Sequence, residues 1–169
     1  MSQQRVITQG EFCATAEVNT TISTLLGSCV ACCLWDPLAA VGGMNHILLA
    51  STSRNRTTCD LAGINAMELL INGLLKLGAR RDRLRAKAFG GAQMIEGLSD
   101  IGSANCDFIT GFLAQEDIDC VSKSLGGRLA RHVVFTPSTG AARVKMKQQR
   151  IAEPSSPIVQ TAVIDLELF

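Results

Sequence analysis

Cys29 and His46 lie 17 residues apart in a stretch, Leu25 to Leu49, that reads LLGSCVACCLWDPLAAVGGMNHILL. A thiol attacks as its thiolate, so it needs a base, and the oxyanion that it creates needs hydrogen-bond donors. This stretch offers all three. Cys29 follows Gly27-Ser28, a turn whose backbone N–H groups can point where the sulfur points, and His46 can take the thiol proton. Asp36-Pro37 divides two apolar runs, since proline cannot continue a ladder and an aspartate side chain favours a turn. Paired as antiparallel strands, Cys29–Trp35 and Val41–Leu49 would bring His46 within reach of Cys29. The same residues admit a plainer account. Thiols are among the most buried side chains, and a histidine in an apolar run can be a hydrogen-bonded core residue.

Cys29-Val30-Ala31-Cys32 is also a C-x-x-C, which opens two rival chemistries, a dithiol redox pair or half of a metal site. A redox pair opens a helix, whereas Cys33 to Trp35 continues as strand. Residues three apart on a strand face opposite sides, so the two sulfurs would diverge. A closed zinc site wants four ligands, and Cys13, Cys59, Cys106 and Cys120 are scattered singly. His132, between Arg131 and Val133, reads as structural or surface. The basic run Arg80 to Lys87 either docks an acidic partner or forms a solvated face. Gly90-Gly91 lacks the Lys-Ser/Thr that a phosphate loop carries.

Around this stretch the chain alternates short strands with two helices. Arg5 to Thr8 and Phe12 to Ala16 read as an edge hairpin, and Thr20 to Leu26 as a strand entering the Gly27-Ser28 turn. Gly42-Gly43 marks a bulge or a close backbone approach in the strand that carries His46. Leu61, Ile64, Met67, Leu70, Leu74 and Leu77 recur at helical spacing, so the pattern predicts a helix over Thr58 to Leu77, capped by Thr58 or Asp60 and ended by Gly78. Leu84 to Phe89 alternates with basic residues as a strand with one wet face. A second helix is expected from Asn105 to Gln115, capped by Ser103 or Asn105, followed by strands at Ile118–Ser124, Ala130–Thr136 and Ala142–Lys147. Residues 1–147 form the domain; 148–169 begin with linker composition (QQRIAEPSSP), and Val163–Leu168 is either a last edge strand or a tail. Grouped strands with two helices argue for an α+β domain.

The 169 residues suffice for one domain with its own core. A net charge of +1 and the absence of tyrosine argue against nucleic acid. No apolar run reaches the roughly 20 residues of a membrane helix, and the first residues lack a secretory apolar segment. Seven unpaired-looking cysteines fit a reducing cytoplasm.

The motifs already quoted carry a family resemblance. Gly27-Ser28-Cys29-Val30, then Asp36-Pro37, then Gly42-Gly43-Met44-x-His46 resemble the CheD family of chemoreceptor glutamine deamidases. The likeness continues through Phe89-Gly90-Gly91-Ala92-x-Met94, Asp100-Ile101-Gly102-x-x-Asn105 and Gly126-Gly127-Arg128-x-Ala130-Arg131. The resemblance implies two packed mixed β-sheets flanked by helices, similar to cytotoxic necrotizing factor catalytic domains. It implies Cys29 as nucleophile, His46 as base, and backbone N–H groups near Gly27 and Ser28 for the oxyanion. The family's third catalytic position, a threonine, falls on Ser23, with Thr20, Thr21 and Thr24 beside it as alternatives under a shift of register. The implied reaction converts glutamine side chains of chemoreceptor cytoplasmic helical domains to glutamate, with no metal and no organic cofactor. A CheC-type phosphatase is an implied second partner, and a non-enzymatic adaptor is the competing role.

Overall fold

The computed structural model describes residues 2–49, 56–94, 101–148 and 162–169, with the backbone alone for 56–59 and 162–166. In chain order the elements are β1 (Gln3–Val6), β2 (Phe12–Thr15), β3 (Thr20–Leu26), β4 (Val30–Asp36), β5 (Val41–Asn45), α1 (Arg56–Lys76), β6 (Arg85–Gly90), α2 (Ile101–Gln115), β7 (Asp119–Leu125), β8 (Ala130–Thr136), β9 (Ala141–Gln148) and β10 (Ala162–Leu168). They build two five-stranded mixed sheets, ordered β1-β3-β8-β9-β10 and β2-β5-β4-β6-β7. The pairs β1/β3 and β6/β7 are parallel and the rest antiparallel.

β4 is the middle strand of the second sheet and is buried along its whole length. Its charge-free run from Val30 to Trp35 is what a strand between two apolar layers requires. Val30, Cys32 and Leu34 belong to the core shared with α1 and α2, where Met67, Leu70, Ile71, Leu74, Ile109 and Phe112 pack. Ala31, Cys33 and Trp35 belong to the core between the sheets, with Ile22, Leu26, Met44, Phe89 and Phe135. Each large apolar side chain buried in these cores contributes about 2 kcal/mol. The helices therefore lie on one face of the second sheet and the first sheet on the other.

Several expectations need correcting. β1 and β2 form no hairpin: β1 runs parallel to β3 in one sheet and β2 antiparallel to β5 in the other. α1 begins two residues early, so Thr58 and Asp60 lie within it, and two residues of the expected apolar stripe face solvent, Leu61 at 61% and, just past the helix, Leu77 at 40%. It closes as expected before Gly78, with Gly78 N–H to Leu75 O and Ala79 N–H to Leu74 O, both 3.1 Å. β6 has no wet face, since Ala86 to Gly90 are all buried. α2 starts at Ile101, which moves Asn105 from a cap position into the helix. Gly42-Gly43 is a close approach without a bulge: a Cβ on Gly43 would overlap the Cys13 carbonyl oxygen.

Of the two readings of Val163–Leu168, the edge strand is the one observed, as β10 (Ala162–Leu168) at the end of the first sheet. β10 pairs with β9, and Phe169 exchanges backbone hydrogen bonds with Ala142 at 3.0 and 3.2 Å. Phe169 also stands edge-on to Phe89, centroids 5.6 Å apart. Its carbonyl accepts from Lys87 Nζ at 2.7 Å, and that ammonium lies 5.4 Å from the Trp35 ring centre. No helix among the described residues is long and apolar enough to cross a membrane.

Candidate active site

Cys29 stands just before β4, and His46 just after β5. Val30, the first residue of β4, forms an antiparallel bridge with Ile47, two residues past β5, with N···O distances of 3.0 and 2.7 Å. The β4–β5 register, with Cys33 opposite Met44, continues through that bridge without a slip and sets Ala31 opposite His46. Alternation then puts Cys29, Ala31 and His46 on one face, Cys29 diagonal to the imidazole. That face looks toward the first sheet, since Cys29 packs against the inter-sheet core and Cys32 belongs to the helix-side core. The C-x-x-C sulfurs thus lie on opposite faces, which removes the geometry for a dithiol.

β5 loosens where His46 begins, and side chains hold it there. Asn45 Oδ1 accepts the Cys32 N–H at 2.9 Å, and Nδ2 reaches Met67 Sδ at 3.2 Å. The His46 backbone is held from the other side by Glu11 O and Gly10 N–H at 3.0 and 2.9 Å.

The ring is 7% exposed, and its Nδ1 lies 2.7 Å from Thr24 Oγ1. Thr24 has one hydroxyl hydrogen, and it donates that to the Ile7 carbonyl at 2.8 Å. The hydroxyl oxygen must therefore accept from Nδ1–H, which leaves Nε2 with a bare lone pair. No side-chain nitrogen or oxygen among the described residues is buried without a partner. Nε2, which makes no hydrogen bond there, is consequently the ring atom that reaches accessible space. Burial lowers the His46 pKa below the ordinary histidine value, and Glu11 opposes this only in part. Burial raises the Cys29 pKa, against a lowering by its own backbone N–H. Both shifts favour the uncharged thiol and imidazole over the ion pair.

The loop before β4 is tied down by its carbonyls. Gly27 O accepts from Ala92 N at 3.0 Å, Ser28 O from Asn105 Nδ2 at 2.7 Å, and Cys29 O from Gly91 N at 2.8 Å. In a trans peptide the N–H points away from the C=O, so the Ser28 and Cys29 N–H groups point away from these anchors. Neither finds an acceptor in another of the described residues; the Cys29 N–H has only its own sulfur beside it. The anchors depend on Gly90, whose φ is 110° and where a Cβ would overlap the Cys29 carbonyl oxygen. Arg131, 3% exposed, braces this region through Gly126 O at 2.8 Å, Ser124 Oγ at 3.1 Å and Gly90 O at 3.3 Å.

The structure gathers Cys29, His46, Gly27 and Ser28, and it corrects Ser23. Ser23 Oγ accepts from Gln4 Nε2 at 3.0 Å and makes no hydrogen bond to His46. Thr24, one of the alternatives, makes that contact because alternation sends it inward with Ile22 and Leu26. His132 lies opposite Leu25 on β8, and burial with Lys147 and Lys145 lowers its pKa. The basic run is used internally: Arg80 pairs with Asp82, Arg81 with Glu68 and Glu116, and Arg83 with Asp36. Sequence reasoning missed Asn105 and Arg131, whose burial no local pattern announces.

Two mixed sheets with helices on one outer face define an α+β sandwich whose edge carries a loop cysteine. The fold is similar to that of a Neisseria meningitidis protein of the DUF152 family, with a TM-score of 0.51 and 10% identity over 80% of this chain and 76% of that one. The family model described as CheD chemotactic sensory transduction matches residues 48–146. Relatives extend the match across the N-terminal third. A Caulobacter sp. (strain K31) protein named "Probable chemoreceptor glutamine deamidase CheD" is 46% identical over 96% of this chain and 91% of its own. A protein of the same name from Acidiphilium cryptum (strain JF-5) is 51% identical over 81% of this chain and 74% of its own. The chain belongs to the CheD family.

Proposed function

We propose that this protein is a chemoreceptor glutamine deamidase that works through Cys29 and His46. His46 Nε2 takes the thiol proton as Cys29 Sγ adds to the side-chain amide carbon of a glutamine. The oxyanion forms against the Ser28 and Cys29 N–H groups. The imidazolium then gives its proton to the amide nitrogen, and ammonia leaves as the tetrahedral adduct collapses to a thioester. Water, deprotonated by the imidazole, adds to the thioester; the C–S bond breaks, the thiol regains its proton, and glutamate remains.

One observation carries this reading. Thr24 holds the Nδ1–H of a histidine that shares a strand face with Cys29, so the bare Nε2 is the nitrogen available to the thiol. The substrate follows from the names of the relatives, and the receptor's cytoplasmic helical domains are where the protein meets it. The family resemblance adds a CheC-type phosphatase as a second partner, which co-elution with such a protein tests. Incubation with receptor cytoplasmic fragments, read by mass spectrometry as amide-to-acid conversion, tests the activity. Wild type converts glutamines and Cys29→Ala does not; conversion by both, or by neither across the native receptors, defeats the proposal.

A further inference from the structure

Asn105 sits in helix α2, yet its side chain joins the two arms of the site. It is fully buried; Nδ2 donates to Ser28 O at 2.7 Å and Oδ1 accepts the Leu49 N–H at 3.0 Å. Ser28 precedes Cys29, and Leu49 lies just beyond His46 and Ile47. With the Val30–Ile47 bridge, these contacts tie the cysteine loop to the histidine segment on both sides of Cys29. The Ser28 carbonyl and the Cys29 N–H are two ends of one peptide plane, so whatever holds the carbonyl also aims the N–H.

We infer that Asn105 is a positioning residue for the deamidation, aiming the Cys29 N–H at the oxyanion by holding the Ser28 carbonyl. The inference rests on the thiol chemistry proposed above. The job needs one donor and one acceptor on a short planar group, which an amide has and a carboxylate lacks. A carboxylic acid has both again. Fully buried Asn105 competes with no water for these bonds, so the plane is set before substrate arrives.

Asn105→Asp tests this with almost no change of shape. Burial and the facing Ser28 carbonyl raise the pKa of this aspartate, and its protonated form donates to Ser28 O as the amide does. The ionised side chain still accepts from Leu49 but turns a lone-pair oxygen toward Ser28 O. Turnover of receptor fragments is expected to fall about 10- to 100-fold toward the alkaline end of the activity range, where the side chain ionises, with KM within about twofold. The ratio of variant to wild-type turnover is expected to recover as pH falls. Alkylation of Cys29 by iodoacetamide needs the thiolate but no oxyanion donor, so its rate stays within about threefold. All rates are taken well below each melting temperature. Alkylation and turnover falling in step, or a ratio that does not rise in acid, overturns the inference. Asn105→Ser is the second variant, and loss of cooperative melting in both also overturns it, because Asn105 would then be holding the fold. The underlying thiol reading fails by a different sign, retained turnover in Cys29→Ala.

Discussion

The two ends of β4 are both turns, and their polar groups are treated in opposite ways. At the far end, the buried Asp36 carboxylate accepts from the N–H groups of Leu38, Ala39 and Arg80 and from the Arg83 guanidinium, all within 3.1 Å. Burial alone would raise its pKa, but these donors prevail and hold it below the ordinary carboxylate value. At the near end, the carbonyls of Gly27, Ser28 and Cys29 are anchored while the Ser28 and Cys29 N–H groups find no acceptor in another of the described residues. A turn built for stability matches every donor to an acceptor. Under the proposed chemistry, the near turn fixes its frame and withholds donors that the oxyanion would complete.

Substitutions can break or sharpen that contrast. Cys29→Ala should lower receptor-fragment deamidation at least 10³-fold and leave the urea midpoint unchanged; a large stability loss would blur the two ends. Asp36→Ala should do the reverse, costing about 3–5 kcal/mol in urea unfolding while turnover per folded molecule stays within about twofold. Because its folded pKa is depressed, the stability that Asp36 supplies is present above the unfolded value and is lost as pH falls through the folded one. Urea curves of wild type and Asp36→Asn should therefore converge in strong acid.

Smaller effects are expected around the imidazole. Thr24→Val should reduce kcat about 10- to 100-fold, the loss of a buried hydrogen bond worth about 1–3 kcal/mol, and Thr24→Ser should restore most of it. Ser23→Ala should change kcat less than about twofold, since its hydroxyl faces Gln4. An equal loss from Ser23→Ala would return the orienting role to that residue. The mildest test is the pH profile. His46 must be neutral to accept a proton, and burial lowers its pKa, so the acid limb of activity should fall below pH 6.5.

What the sequence disclosed and what it hid divide along the reach of the forces involved. β4 was legible because an uncharged run bounded by Gly-Ser and Asp-Pro can only be an interior strand. The antiparallel pairing of β4 with β5, which sets Cys29 and His46 on one face, followed from the turn between them. Thr24 was only one of three flanking alternatives to Ser23; that it shares the inward face of β3 with Ile22 and Leu26 is what brings its hydroxyl to His46. Asn105 and Arg131 were not readable, because their partners lie up to 77 positions away in the chain. Lys87 misled for the same reason. An alternating basic residue normally signals a wet face, and only the arrival of Phe169 from elsewhere in the chain gives its ammonium a dry partner.

That last contact has a practical side. Phe169 closes the slot where Lys87 meets Trp35 and Phe89, so a probe or bulky substitution placed there would pry at the seam between the sheets. Reporter groups intended for kinetic work belong on exposed positions away from it, such as Leu38.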